Sequence, residues 1–95
     1  MNANYRRGRR AEWKTKALME AAGFTAARTA GSHGPVDVIA WDAVSLRLIQ
    51  VKVNSARVTP VEREALRLMA RPANSIAEIW TFTPRVREPQ IERVG

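Results

Sequence analysis

Three polar residues within two otherwise apolar stretches could form one chemical site. Asp37 lies in the apolar run 36–41, and Gln50 and Lys52 lie in the apolar run 46–53. Side chains two apart on a strand share a face, so neighbouring strands could place an acid, an amide oxygen and an ammonium around one point. A divalent cation and a water molecule could bind there. The set predicts metal-dependent phosphodiester hydrolysis, which needs a hydroxide, a cation and a group to position the water.

Each of these residues has a role that the chemistry requires. Mg²⁺ binds oxygen ligands and keeps several waters, so one or two carboxylates suffice, and Asp37 is the first candidate. Gln50 offers a neutral amide oxygen, and the Val51 carbonyl is a further candidate ligand on the same strand. Lys52 could hold the attacking water or stabilise the transition-state oxyanion; a solvent-exposed lysine at the end of a strand is the alternative. By itself the spacing is a weak motif.

The composition favours a small protein that binds a polyanion. The chain has 95 residues, a length typical of one domain that gains stability by forming an oligomer. Its formal net charge is +7, from 16 basic and 9 acidic residues, and nucleic acid is the default partner for such a charge. Most of the basic residues are arginines, whose planar fork suits phosphate. A base-composition bias in the genome is the alternative explanation for the arginines.

The same composition argues against several classes of protein. There is no cysteine, which excludes disulfides and thiolate metal sites, and one histidine, His33, is too few for a zinc site. No apolar stretch reaches membrane-spanning length, and no hydrophobic segment of a signal peptide follows the basic N-terminus. We therefore expect a cytoplasmic protein, with neither a membrane partner nor a small-molecule substrate. The composition is compatible with a phage origin.

The first half of the chain contains the elements that would position these residues. A basic arm is expected at about residues 1–8, and apolar residues at helical spacing predict a helix over about residues 9–22. Gly23 stands where a C-terminal cap belongs. Three strands are then predicted, the last two joined as a hairpin: 24–29, 36–41 and 46–53.

The second half predicts a helix and one more strand. Thr59-Pro60-Val61-Glu62 is a capping box with proline at the first helical position, so this helix should begin at Pro60 and end near Ala70. Strict alternation predicts a strand over 77–83, followed by an irregular or weakly extended tail at about 84–95. The order helix-strand-strand-strand-helix-strand predicts a single α/β domain with a mixed sheet and helices packed on it. Such a fold could serve many functions.

Several short motifs in the first two thirds of the chain occur together. They are Arg6-Arg7-Gly8-x-x-Ala11-Glu12, Gly23-Phe24, Arg28-x-Ala30-Gly31-Ser32, Val36-Asp37-Val38 and Val51-Lys52-Val53. In order and spacing they resemble the archaeal-type Holliday junction resolvases of the PD-(D/E)xK nuclease superfamily. The resemblance implies a restriction-endonuclease-like core. It also implies a homodimer that nicks two opposing strands of a four-way DNA junction, with Mg²⁺ or, as a substitute, Mn²⁺.

The resemblance implies roles for individual residues. Glu12 on the first helix would complete a metal site in which Asp37 is the central ligand, with Gln50 beside it. Lys52 would be the catalytic lysine. Without the resemblance, Glu12 would be a solvated helix carboxylate paired with Lys16 at i, i+4.

The remaining candidates are DNA contacts. By resemblance, Arg28 and Ser32 would contact the scissile-strand phosphate, and Ser32 is also counted with the catalytic residues. His33 could contact phosphate or assist proton transfer, and Arg57 begins an arginine stripe for which a solvated face is the alternative. The predicted DNA-binding residues are Arg6, Arg7, Arg9, Arg10, Arg28, Ser32, His33 and Arg57.

Two positions depart from the family's pattern and leave three hypotheses. Gln50 stands where the family has glutamate, and Pro35 precedes Asp37 by two residues instead of one. An amide at position 50 is chemically tolerable, yet an inactive binding protein would carry it too. The hypotheses are a junction-resolving endonuclease, another PD-(D/E)xK nuclease acting on linear or branched duplex, and a non-catalytic architectural protein that binds DNA junctions. The presence of Glu12, Asp37 and Lys52 favours the first.

Overall fold

The computed structural model describes residues 3–29, 34–53 and 58–94, which form two helices and five strands. The elements are α1 (Ala3–Ala21), β1 (Thr25–Arg28), β2 (Val38–Trp41), β3 (Leu46–Val53), α2 (Pro60–Leu68), β4 (Ser75–Phe82) and β5 (Gln90–Val94). The predicted α/β class is confirmed, with one strand more than the patterning indicates. Neither helix in the described ranges has the length and apolar character needed to cross a membrane.

The five strands form one mixed sheet in the order β1-β2-β3-β4-β5. β1, β2 and β3 pair antiparallel, β3 and β4 pair parallel, and β5 returns antiparallel to β4. Parallel neighbours need a crossover connection, and α2 lies in the one between β3 and β4. β3 is therefore the central strand, and it carries Gln50 and Lys52.

One helix covers each face of the sheet. Ala11 of α1 packs in a buried cluster with Ile49, whereas Leu66 of α2 packs in a second cluster with Leu48. Because consecutive strand residues point to opposite faces, Ile49 and Leu48 mark the two sides of β3. Cover on both sides explains why β3 carries apolar residues on both of its faces.

Helix α1 is longer than the periodicity predicts. It begins at Ala3, so residues 3–8 of the expected basic arm form its first turns. No proline or β-branched residue interrupts residues 3–10, and arginine is a good helix former. The helix ends before Gly23, whose φ of +98° is the left-handed conformation typical of a C-terminal cap. Arginines of the predicted arm are therefore presented on a helix.

Residues 90–94 of the predicted irregular or weakly extended tail form a regular strand, β5. β5 pairs with β4 along this segment, with Val94 opposite Ala77. Four of its five residues are exposed, and Val94 is buried. The strand is held mainly by its backbone ladder and not by alternating apolar side chains, so periodicity could not indicate it.

The predicted capping box at the start of α2 is confirmed. The Glu62 backbone N–H donates to Thr59 Oγ1 at 3.1 Å, and the Thr59 backbone N–H donates to Glu62 Oε1 at 3.0 Å. Pro60 is the first helical residue, and the helix ends at Leu68, slightly before the predicted end. The box fixes the direction in which α2 leaves the sheet, and it fixes the Glu62 side chain.

We expect Thr59→Ala to lower the free energy of unfolding by about 1 kcal/mol, the usual cost of losing an N-cap side chain. Urea denaturation at neutral pH measures the change. Thr83→Ala is the matched control because Thr83 is an exposed threonine after β4, and its loss should cost less than about 0.5 kcal/mol. Equal losses in the two variants would contradict the role of the cap.

Candidate active site

The Asp37 carboxylate lies where the pairing of β2 with β3 ends. β2 is shorter than predicted and starts at Val38, so Asp37 precedes the strand. The Asp37 backbone N–H donates to the Ile49 carbonyl at 2.8 Å, and Asp37 Oδ2 accepts the Val51 N–H at 2.8 Å. The carboxylate thus takes the place of a backbone acceptor on β2. These two bonds hold it against β3.

Gln50 and Lys52 reach the same carboxylate oxygen on α2. Lys52 Nζ lies 2.7 Å from Glu62 Oε2, and Gln50 Nε2 donates to the same atom at 3.4 Å. The prediction that Gln50 and Lys52 share a face of β3 is confirmed. Glu62 is a residue that sequence reasoning placed in the capping box and missed for the site. The only signal was its place in the first turn of the helix that follows β3, because its partners depend on how α2 packs.

Glu12 approaches from α1 and binds Arg28. Arg28 Nε and Nη2 donate to Glu12 Oε1 at 3.1 and 3.0 Å. The Arg28 guanidinium also lies 4.9 Å from the centroid of the Trp13 ring. The alternative pairing of Glu12 with Lys16 is wrong, because Lys16 binds Glu20 at 2.8 Å. Arg28 is therefore held in place by an acid and an aromatic ring.

The pKa of Asp37 depends on the charges of the neighbouring side chains. Burial raises the pKa of Asp37 above its ordinary value, and the Val51 N–H opposes that shift. The negative charge of Glu12 raises the pKa further, the Lys52 ammonium lowers it, and the charge of Glu62 raises it. Acids from both helices thus lie within electrostatic range of Asp37. The site combines residues from both faces of the sheet.

Glu62 carries a permanent negative charge. Its hydrogen bond from the Lys52 ammonium, helped by the Thr59 backbone N–H, lowers the pKa of Glu62 to about 2. The carboxylate is therefore ionised at every pH at which a nuclease works. It gives Lys52 a fixed counter-charge.

The raised pKa of Asp37 predicts a stability that depends on pH. The ordinary pKa is 3.8, and the folded protein has a higher one. Between these two values the folded state binds more protons than the unfolded state, so the free energy of unfolding falls as pH rises. Above the pKa that Asp37 has in the folded protein, the carboxylate is ionised. Its burial then lowers the free energy of unfolding by the full amount.

We therefore expect Asp37→Asn to stabilise the metal-free protein at neutral pH, by about 1.4 kcal/mol for each unit of the pKa shift. Asparagine keeps an oxygen that can accept the Val51 N–H. The gain should disappear below the ordinary pKa of Asp37, where both states are protonated. Urea denaturation in EDTA at neutral and acidic pH measures this difference, and a less stable variant at neutral pH would contradict it.

The residues present suit a hard cation with few charged ligands. Among the described residues, no three or more His, Cys, Asp or Glu side chains group to hold a metal. Gln50 Oε1, however, is a buried oxygen that lacks a hydrogen-bond partner within that part of the chain. An unpartnered buried acceptor is costly, and a cation would satisfy it. Together with the Asp37 carboxylate it provides the oxygen ligands that Mg²⁺ prefers.

Apart from Arg28, which binds Glu12, the predicted DNA contacts fall into two groups. Outside the described residues lie Ser32, His33, Arg57 and the side chain of Arg6. Exposed on α1 are Arg7, Arg9 and Arg10. Arg7 and Arg10 line a groove with Lys14, beside Val53 of β3 and Phe82 of β4. Val53 adjoins Lys52, so this basic groove reaches the strand that carries the catalytic candidates.

Comparison with known proteins identifies the family. Residues 3–80 match the family model of the archaeal Holliday junction resolvases (Hjc). This chain belongs to that family. Its structure is similar to the 1.6 Å structure of Hjc from Archaeoglobus fulgidus, a Holliday junction resolvase from an archaeal hyperthermophile. That match has a TM-score of 0.72 and 26% sequence identity, and it covers 93% of this chain and 71% of that chain. No curated protein sequence matches the chain.

Family membership decides among the three hypotheses. As a member of the Hjc family, the chain is a Holliday junction-resolving endonuclease whose substrate is branched DNA. Resolvases of this family are metal-dependent nucleases. The five-stranded mixed sheet with its two helices matches the Hjc fold, which confirms the expected nuclease core.

Proposed function

We propose that this chain resolves four-way junctions by Mg²⁺-dependent hydrolysis, with paired symmetric nicks, and that Mn²⁺ can substitute. The group formed by Asp37, Gln50 and Lys52 carries the proposal. It combines an acid fixed against β3, a buried amide oxygen without a partner among the described residues, and an ammonium. Family membership over residues 3–80 supports the same reaction.

The proposed metal ligands are oxygen atoms. Asp37 and Gln50 Oε1 would hold the ion, with the Val51 carbonyl and Glu12 as further ligands. When bound, Mg²⁺ supplies a Lewis acid for the scissile phosphate and lowers the pKa of a bound water. The burial that raises the pKa of Asp37 makes its charge expensive in the metal-free protein, and a cation relieves that cost. Asp37 should therefore contribute more than the other ligands to the binding of the cation.

Lys52 is proposed as the catalytic cation. Its ammonium is held at 2.7 Å from Glu62 Oε2 before DNA binds, so little reorganisation is needed during the reaction. The negative charge on the phosphate oxygens is redistributed as the transition state forms. A fixed ammonium beside these oxygens stabilises the transition state more than the bound substrate. Lys52 would also orient the attacking water, as a hydrogen-bond donor.

The proposed DNA surface runs along α1. Arg7, Arg9 and Arg10 are exposed there, and such contacts bind the phosphate backbone with an affinity that falls steeply with salt. Arg28, held by Glu12, would contact the scissile phosphate beside Asp37. The further proposed contacts are Arg6, Ser32, His33 and Arg57, with Ser32 also assisting catalysis. The proposed location is the cytoplasm, including that of a phage-infected cell.

The active form is proposed to be a homodimer. Two nicks on opposing strands of a symmetric junction require two sites, which a two-fold symmetric dimer supplies. Val61 and Leu68 support an apolar contact, because they are 79% and 65% exposed and lie seven residues apart on α2. Equilibrium sedimentation measures the association, and a monomer at assay concentrations in the presence of DNA would contradict it.

One cleavage assay tests the function. An end-labelled immobile four-way junction and a linear duplex with the same arms are incubated separately with Mg²⁺, Mn²⁺ or EDTA. Paired symmetric nicks in the junction alone, dependent on metal, are the expected result. Equal cleavage of the linear duplex would favour a less selective nuclease. Tight junction binding without nicks under either metal would overturn the proposal.

A further inference from the structure

Glu62 connects α2 to both polar side chains of β3. Its Oε2 atom lies 2.7 Å from Lys52 Nζ and 3.4 Å from Gln50 Nε2. Its Oε1 atom accepts the Thr59 N–H of the capping box at 3.0 Å. Moving this carboxylate would therefore remove one hydrogen bond of the capping box. Glu62 is a fixed part of the site, although none of the ligand assignments includes it.

This contact determines how the Gln50 amide is turned. A carboxylate only accepts hydrogen bonds, so the NH₂ group of Gln50 must face Glu62. The amide oxygen is then directed elsewhere, and it is the buried oxygen without a partner within the described part of the chain. If the amide turned over, it would present an NH₂ group that cannot bind a cation. Glu62 thus selects the orientation in which Gln50 can be a ligand.

The same carboxylate provides a charge that β3 lacks. Glutamate at position 50 would place a second carboxylate against Glu62, and two like charges at hydrogen-bond distance repel. The chain instead has one amide on β3 and one carboxylate on α2, both in contact with each other. The negative charge beside Lys52 is therefore kept, but it comes from α2.

We infer that Glu62 is a positioning residue of the metal site. It orients the Gln50 oxygen, holds Lys52, and supplies from α2 the negative charge that an amide at position 50 removes. The inference rests on the proposed metal-dependent hydrolysis. It makes positions 50 and 62 a coupled pair, in which one amide and one carboxylate are exchangeable.

Four proteins test this coupling: the wild type, Gln50→Glu, Glu62→Gln, and the double variant with both changes. Glutamine at position 62 can still accept the Thr59 N–H, so the capping box is kept. Glu64→Gln is the matched control, because Glu64 lies on the same helix, is exposed, and pairs with Arg67. For each protein we would measure Mn²⁺ affinity by calorimetry, the urea midpoint in EDTA, and junction nicking.

We expect Glu62→Gln to weaken Mn²⁺ binding by about tenfold or more, the size of effect seen when a residue that orients a metal ligand is changed. Gln50→Glu should lower the urea midpoint, because it brings two carboxylates together. The double variant should recover the midpoint and bind Mn²⁺ within about threefold of the wild type, the signature of coupled residues. Glu64→Gln should match the wild type in all three measurements.

Independent effects would overturn the inference. Glu62 has no positioning role if Glu62→Gln weakens Mn²⁺ binding equally with glutamine or glutamate at position 50, or if it has no effect in the wild type. A Gln50→Glu protein that unfolds in EDTA and folds again when Glu62→Gln is added supports the coupling. Failure of the proposed function is a separate result. A wild type that nicks no junction overturns that function, while the affinities and midpoints still decide the role of Glu62.

Discussion

Asp37→Asn should reduce junction nicking at saturating Mg²⁺ roughly a thousand-fold while leaving junction binding in EDTA close to that of the wild type. The carboxylate is the proposed charged ligand that β3 itself fixes, through the Val51 N–H at 2.8 Å. Asparagine preserves that hydrogen bond but not the charge. Since the basic surface on α1 is the part proposed to bind the DNA backbone, affinity for the junction should not depend on this residue.

A stability measurement distinguishes the expected loss of nicking from a loss that unfolding would cause. Because burial raises the pKa of Asp37, the asparagine variant should be more stable than the wild type without metal at neutral pH. A variant that is more stable and binds junctions but does not nick them has lost nicking through the metal site and not through unfolding. Mn²⁺ calorimetry on the same protein should show weakened binding.

Asp42→Asn provides the matched control. Asp42 lies in the β2–β3 turn, where Oδ1 accepts the Val44 and Ser45 N–H groups at 2.8 and 2.7 Å, and an asparagine oxygen can accept both. Its nicking rate should stay within about twofold of the wild type. If Asp37→Asn retained a tenth or more of the wild-type rate, the proposed metal site would be in the wrong place.

The parts of the site that could be predicted from sequence depend on local geometry. Gln50 and Lys52 share a face because strand side chains alternate, which holds for any strand over residues 46–53. The apolar neighbours of Asp37 predict a position inside a strand, yet Asp37 precedes β2 and its side chain accepts a hydrogen bond from β3. Apolar neighbours alone cannot distinguish a residue inside a strand from the residue just before the strand begins.

Contacts between distant elements could not be predicted in this way. The sequence predicts Glu62 in a capping box, but its contact with Lys52 depends on how the crossover helix packs on the sheet. The pairing of Glu12 with Arg28 likewise depends on where α1 lies over β1. Strand β5 could not be predicted from the sequence either, because its exposed residues give no periodic signal.

Lys52→Met should reduce nicking roughly a hundred- to a thousand-fold, and it should differ from Asp37→Asn in its effect on the metal. Methionine keeps the length of the apolar stem and removes the ammonium. The pKa of Glu62 should then rise from about 2 toward its ordinary value of 4.5, so Glu62 stays ionised at neutral pH. With one positive charge fewer and the acids unchanged, Mn²⁺ binding should become equal or tighter.

Different effects on metal affinity therefore distinguish the roles proposed for Asp37 and Lys52. Lys16→Met is the control for the lysine change, because Lys16 also pairs with a glutamate, Glu20 at 2.8 Å, but on the surface of α1. It should retain nicking within about threefold of the wild type, since an exposed ion pair contributes little. If Lys52→Met weakened Mn²⁺ binding as much as Asp37→Asn does, the lysine would be maintaining the geometry of the ligands. Its proposed action on the phosphate would then be wrong.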